Sequence, residues 1–132
     1  MGAKVNLTNE LESVSFGLDN VVIRRLGGAI LGGRALDVTD FAEDVIKAGH
    51  VVIQNTTDET IYKPMPVTGG KYAALPEGYR YAGVVVSSVL KTKAAVSIMY
   101  DGEVNDVASP YPVDTIKAAL KEALPTLVFL HD

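Results

Sequence analysis

The sequence contains no cysteine and only two histidines among its 132 residues. The absence of cysteine excludes a disulfide framework, a thiolate zinc site and a cysteine nucleophile. His50 and His131 lie far apart and share no short motif, so they give thin support for a zinc site. We expect both histidines at a boundary or on the surface, because neither lies in a pattern that pairs a nucleophile with a base.

The chain also lacks an excess of basic charge and a long apolar run. Its net charge is −4, whereas a surface that binds nucleic acid is normally basic. No apolar stretch approaches the roughly 18 residues of a membrane span. The opening residues, MGAKVNLTNE, do not contain the apolar segment of a secretory signal. We therefore expect no nucleic-acid partner and no membrane contact.

The apolar content, in contrast, is sufficient for a core, at 48% of the residues. The length predicts one domain, which we place at residues 18–132. The preceding residues 1–17 are mostly polar and predict an N-terminal arm that docks onto another surface. Val5, Leu7 and Leu11 are its candidate contact residues. Simple terminal disorder is the alternative interpretation of this segment.

The first half of the domain predicts a hairpin and a helix. Residues 20–38, NVVIRRLGGAILGGRALDV, favour two short strands joined at Gly27-Gly28, since glycine accepts the positive φ of a tight turn. A helix is expected at about 40–48, where Thr39 or Asp40 can cap it and Gly49 can end it.

The second half is predominantly β in pattern. HVVIQN and residues 81–89 are predicted strands. TIYKPMPV is expected at an edge or as an extended loop, because proline donates no backbone hydrogen bond. Asp101-Gly102 predicts a second hairpin. A helix at 113–124 ends at Pro125, and TLVFLHD forms a last strand. The predicted fold is α+β and β-rich, a small barrel or sandwich with two short helices.

The tyrosines and carboxylates of the β region are the candidate binding groups. Tyr72, Tyr79 and Tyr81 lie beside a proline turn and are candidate partner contacts, since tyrosine combines apolar area with a polar tip. Ordinary packing at the edge of the core is the alternative. The acidic residues near Asp101 do not have the spacing of a calcium loop, so we predict neither a metal nor another cofactor.

Four phrases of the sequence resemble a known family: AGHVVIQN, YKPMPV, LPEGYRYAGVVVSS and AAVSIMYDGEVN. They contain Gly49–Ile53, Tyr62–Pro66, Pro76–Val84 and Gly102–Asn105. Their order resembles that of tailed-phage head decoration proteins, a group that includes lambda-type decoration proteins and head fibre proteins. The resemblance covers residues 49–107, about half of the chain.

This resemblance implies a small structural protein without catalytic residues or a small-molecule substrate. Such proteins commonly form trimers on the outside of an icosahedral head, where they clamp subunits of the major capsid protein or anchor a fibre. The expected location is therefore the outer capsid surface of a virion, after synthesis in the cytoplasm of the bacterial host. A homotrimer is also expected from the arm and TLVFLHD, whose apolar residues exceed what one small domain buries.

The sequence leaves two other functional classes open as alternatives. A carbohydrate- or peptide-binding β module would present a groove lined by several of the tyrosines. An enzyme would have to use His50 with an acidic residue. This pair is a weak candidate, but the sequence contains no better one.

Overall fold

The computed structural model describes residues 22–39 and 41–130, with the side chains of residues 31–33 excepted. The predicted arm at 1–17, with Val5, Leu7 and Leu11, lies outside the described residues. The predicted domain is described from Val22 to Leu130.

The described residues form a β-rich α+β fold, as the sequence predicted. They contain ten strands, one 3-10 helix at Lys91–Lys93 and one α-helix whose full range is described. The elements are β1 Ile23–Ala35, β2 Val45–Ile46, β3 Val51–Asn55, β4 Tyr62–Pro64, β5 Val67–Thr68, β6 Lys71–Tyr72, β7 Tyr79–Val85, β8 Val89–Leu90, β9 Ala95–Asn105, α1 Lys117–Ala123 and β10 Leu127–Leu130.

One sheet organises the molecule, in the order β1-β9-β7-β3-β4. β9 pairs with β1 along one side, antiparallel. Its other side is shared: Ile98 and Met99 pair with β7, and Gly102 to Asn105 pair in parallel with β10. The shorter strands make two small ribbons, β2 with β8 and β5 with β6.

The sheet is buried on both faces. Val51 and Ile53 of β3 belong to one core cluster, and Val52 between them belongs to the other, because side chains alternate along a strand. Ile116 and Leu120 cover the first cluster. The second face is covered mainly by Leu36, Ile46 and Phe41.

The predicted helix at about 40–48 is wrong. The described residues 41–48 form bends and the short strand β2. Val45 pairs with Leu90 and Ile46 with Val89, so long-range pairing and burial of Ile46 override a local helical pattern too short to stabilise itself. The only α-helix whose full range is described is therefore α1.

The second predicted helix exists but is shorter than 113–124. The helix starts at Lys117, because Val113 is buried in a preceding turn in which the Ile116 N–H donates to the Val113 carbonyl at 3.0 Å. It ends at Ala123, before Pro125, as expected for a residue that cannot continue a helix. The predicted last strand is confirmed by β10.

Neither of the two predicted hairpin turns, at Gly27-Gly28 and at Asp101-Gly102, exists. β1 runs through Gly27-Gly28 and β9 runs through Asp101-Gly102. Gly28 pairs with Asp101, and Leu26 pairs with Gly102, amid several shifts of register. A Cβ at Gly102 would collide with the Arg25 carbonyl oxygen. Glycine therefore permits close approach of two strands here and does not mark a turn.

The described strands form an open sheet and not a closed barrel. A single parallel bridge, Leu36 to Tyr62, brings the chain after β1 beside β4. β4 has only three residues, and Pro64 has no backbone N–H to extend a ladder. The predicted edge position of this segment is confirmed. No helix among the described residues is long and apolar enough to cross a membrane.

Candidate partner-binding edge and the aromatic pocket

The outer edge of β1 is the longest open edge of the described sheet. β1 has 13 residues and pairs with β9 alone among the described strands. A strand at the end of a sheet presents backbone N–H and C=O groups that can pair with another chain. Natural proteins cover or blunt such edges, so an edge of this length calls for a partner or a protective device.

The side chains of β1 partly blunt this edge. Arg24 and Arg25 are exposed, and charged residues disfavour indiscriminate strand pairing. The Arg25 guanidinium donates to the Glu103 carboxylate at 3.1 Å and lies 3.8 Å from that of Asp101. Leu26 is 51% exposed beside these charges. Among the described side chains of β1, exposed cations thus lie beside an exposed leucine.

The backbone of β1 is irregular. Its register against β9 shifts between Ile23 and Arg25, around Gly28, and between Ile30 and Arg34. Each bulge leaves extra residues out of the ladder and increases the local twist. The ladder between β1 and β9 is therefore interrupted at several points.

The predicted tyrosine contacts do not form one surface. Tyr72 is only 4% exposed, and its hydroxyl accepts a hydrogen bond from the Val51 N–H at 3.1 Å. Tyr81 is also buried in the first core cluster. Tyr79 is half-buried, and the Lys63 ammonium lies 4.7 Å from the centre of its ring. In this fold, Tyr79 alone of the three has substantial exposure.

His50 lies at a boundary between the turn at Gly49 and β3, which is one of the two expected positions, but it is buried and not on the surface. Only 1% of the residue is exposed, and its Nε2 lies 3.0 Å from the Met65 carbonyl oxygen. A carbonyl only accepts, so Nε2 carries the proton. Burial lowers the pKa of His50 to about 4, against a smaller opposing effect of this hydrogen bond. The ring is therefore neutral at neutral pH.

Three aromatic rings pack edge-to-face against the His50 ring. The centroid of Phe41 lies at 5.3 Å, that of Tyr72 at 5.3 Å and that of Tyr111 at 5.6 Å. This geometry matches the electrostatic preference of aromatic pairs. The cluster brings together side chains from the 41–50 segment, β6 and the loop before α1, which are far apart in the sequence.

Two surface cavities meet at this cluster and share Phe41, Glu43 and Tyr111 as lining residues. The first has a volume of about 150 Å³; its wall also contains Asp37, Lys63, Pro64, Pro66 and Val67. The second, of about 290 Å³, is bordered by His50, Asp44 and Lys47. Sequence reasoning missed this pocket, because Phe41 and Glu43 fall in the helix predicted at about 40–48 and the other rings come from distant parts of the chain.

Two groups at the first cavity have perturbed pKa values. Hydrogen bonds from the Thr39 hydroxyl, at 2.6 Å, and the Thr39 N–H, at 3.1 Å, hold the pKa of Asp37 below its usual range. Partial burial and the nearby charge of Glu43 raise the pKa of Tyr111. Asp37 is thus ionised and Tyr111 protonated at neutral pH.

The described residues contain no group of three or more His, Asp or Glu side chains placed to hold a metal ion. Comparison of the chain with protein-family models, curated proteins and solved structures gave no significant match.

Proposed function

We propose that this chain is a structural capsid accessory protein, a head decoration or head fibre protein that binds the outside of the major capsid shell. It acts without catalysis, as a homotrimer whose partner is the major capsid protein. The outer edge of β1 makes the contact, and binding stabilises the shell or anchors a fibre. The observation that carries the proposal is the open edge of this 13-residue strand.

An exposed strand edge fits a partner that supplies an extended segment. Strand addition draws its affinity from main-chain hydrogen bonds and its specificity from pockets for alternate side chains. The bulges of β1 and its three arginines exclude partners with a regular, uncharged edge. A threefold arrangement would multiply weak edge contacts, because the second and third contacts form within one assembly.

The distribution of the resembling segments also supports the proposal. Gly49–Ile53 leads into and forms most of β3, and Tyr62–Pro66 includes β4. Pro76–Val84 includes most of β7, and Gly102–Asn105 is the end of β9. These are four neighbouring strands of one sheet. The resemblance therefore follows a contiguous structural unit, onto whose side β1 is added.

The test is binding to mature heads of the virus or prophage whose genome encodes the chain. We expect density for the protein on the outer surface of heads incubated with it. Leu26→Lys should abolish this density, because it places a further cation directly beside Arg24 and Arg25 in β1. Val107→Lys is the matched control, since Val107 is 57% exposed and lies in the loop after β9. Folded wild-type protein that leaves the heads bare would overturn the proposal.

The proposed trimer is tested by light scattering over a range of concentrations, with and without heads. A threefold mass in solution, or three copies per site on the head, is the expected result. A protein that is monomeric in solution and bound singly to heads would contradict the trimer and leave the edge contact intact.

The second candidate function is a carbohydrate- or peptide-binding β module. The observation that favours it is the aromatic pocket, in which Tyr111 lines both cavities. Screening of glycan and peptide arrays tests this function. Saturable binding of an array ligand, together with a failure to bind mature heads, would favour this binding function over the capsid proposal.

A further inference from the structure

We propose that the first cavity, beside Phe41 and Tyr111, binds an alkylammonium group. The source is a lysine side chain of a partner chain or a free alkylamine, which share this chemistry. The inference rests on the cavity and not on the edge of β1, so either proposal can fail without the other.

The size and the apolar wall of the cavity suit a short alkyl stem. A volume of about 150 Å³ is comparable to engineered cavities that hold one small apolar molecule. Pro64, Pro66 and Val67 form part of the wall. The two prolines have no backbone N–H, so this wall offers a stem apolar contact and gives an anion few donors.

The aromatic residues of the cavity suit a cation. Phe41 and Tyr111 both line it, and the face of an aromatic ring attracts an ammonium group. Their rings are fixed by edge-to-face packing on His50. Because the buried His50 ring is neutral at neutral pH, it places no positive charge behind them.

Two carboxylates of the cavity supply the opposite charge. Asp37 and Glu43 both line it, and the hydrogen bonds from Thr39 keep Asp37 ionised. The charge of Glu43 acts on the Tyr111 hydroxyl, which places this carboxylate near the ring. A carboxylate beside an aromatic face gives an ammonium group both a hydrogen-bond acceptor and an electrostatic partner.

Of the lysines near the cavity, Lys63 offsets part of this charge, and the two carboxylates still leave the lining with a net negative charge. Lys63 lines the first cavity, but its ammonium lies 4.7 Å from the centre of the Tyr79 ring and also interacts with Asp37. Lys47 lines the second cavity and not the first. Asp44 lies beside Lys47 in that second cavity. Both cavities are thus lined by two carboxylates and one lysine, and it is the apolar wall of prolines and valine that makes the first the better place for an alkylammonium group.

The test is an NMR titration of the full chain with N-acetyl-lysine methylamide, followed through the backbone amide signals. The neutral probe N-acetyl-norleucine methylamide has the same stem without the ammonium group. We expect saturable shifts at Phe41, Glu43, Val67 and Tyr111 with the lysine probe, and weaker binding of the norleucine probe by about threefold or more.

Substitutions then locate the site. Glu43→Gln should lower the affinity for the lysine probe by about threefold, as expected for an exposed charge contact. The double variant with Asp37→Asn and Glu43→Gln should lower this affinity by about tenfold. Glu122→Gln, an exposed carboxylate on α1, is the matched control and should not change binding. Tyr111→Phe should retain binding, because the ring is kept, while Tyr111→Leu should lose it.

Butylamine distinguishes the two sources. Equal affinity for butylamine and the lysine probe indicates that a free alkylamine suffices, and tighter binding of the lysine probe indicates a peptide source. Equal binding of the norleucine probe, or no saturable shift with either amine, would overturn the proposal. So would loss of binding in Glu122→Gln to the same extent as in Glu43→Gln.

Discussion

β1 and β9 are paired with each other over nearly their whole length, yet they differ in what they contribute. β9 buries Val96, Ile98, Met99 and Val104 and has strand neighbours on both sides. None of the described residues of β1 is fully buried, and its neighbour among the described strands is on one side only. β9 therefore holds the fold together, whereas β1 adds little core and has one edge without a described strand neighbour.

The largest expected difference between the two strands is at their glycines. Gly102→Ala in β9 should lower the free energy of unfolding by about 4 kcal/mol, because the new Cβ meets the Arg25 carbonyl and, at 2.6 Å, the Met99 sulfur. Gly28→Ala in β1 meets only the exposed Tyr100 ring, at 3.0 Å, which can move. Urea unfolding of both variants measures this difference, and equal losses would contradict it.

The second largest difference between β1 and β9 should be the stability lost when an apolar side chain is truncated. Ile98→Ala removes a fully buried side chain of β9 and should cost about 3 kcal/mol, through lost transfer energy and a cavity. Leu26→Ala in β1, where the residue is half-exposed, should change stability by less than about 0.5 kcal/mol. Thermal and urea unfolding provide the measurement. A large loss for Leu26→Ala would mean that β1 is covered within the chain itself.

Lowering the pH should destabilise the folded chain through the buried His50 ring. The pKa of His50 falls from 6.5 to about 4 on folding, so the unfolded chain binds a proton that the folded chain does not. The free energy of unfolding should therefore fall by up to about 3 kcal/mol as pH drops from about 6.5 to about 4. His50→Gln, which can still donate to Met65, should flatten the profile in this window. An unchanged profile would contradict the buried neutral ring.

The smallest expected effect is that of the ion pair across the two strands. Arg25 is about half-exposed where it meets Glu103, and exposed pairs contribute little because water and salt screen them. Arg25→Ala should change stability by less than about 1 kcal/mol, with Arg80→Ala as the matched control, since Arg80 pairs with Glu59 at a similar exposure. A larger loss for Arg25→Ala alone would show that the β1 edge is desolvated.

The sequence correctly predicted the elements whose structure follows from the preferences of neighbouring residues. β3 was predicted from its apolar run and the edge position of β4 from its prolines. β10 and the existence of α1 also followed from local pattern. In each case the local preference and the long-range packing agree.

The failures share one physical cause, which is that long-range contacts determined the local structure. Gly27-Gly28 and Asp101-Gly102 have the composition of tight turns, but they lie opposite each other at bulges. The predicted helix at about 40–48 failed because Ile46 is buried against the second face of the sheet. The aromatic pocket was not predicted for the same reason, since its rings come together only after folding.

Amide hydrogen exchange of β1, with and without mature heads, tests the central claim most directly. The outward-facing amides of β1 should exchange quickly in the free chain and become protected when heads are bound, while those of β9 stay protected throughout. Protection of β1 in the free chain, or no change on binding to heads, would contradict the claim that this edge is the docking surface.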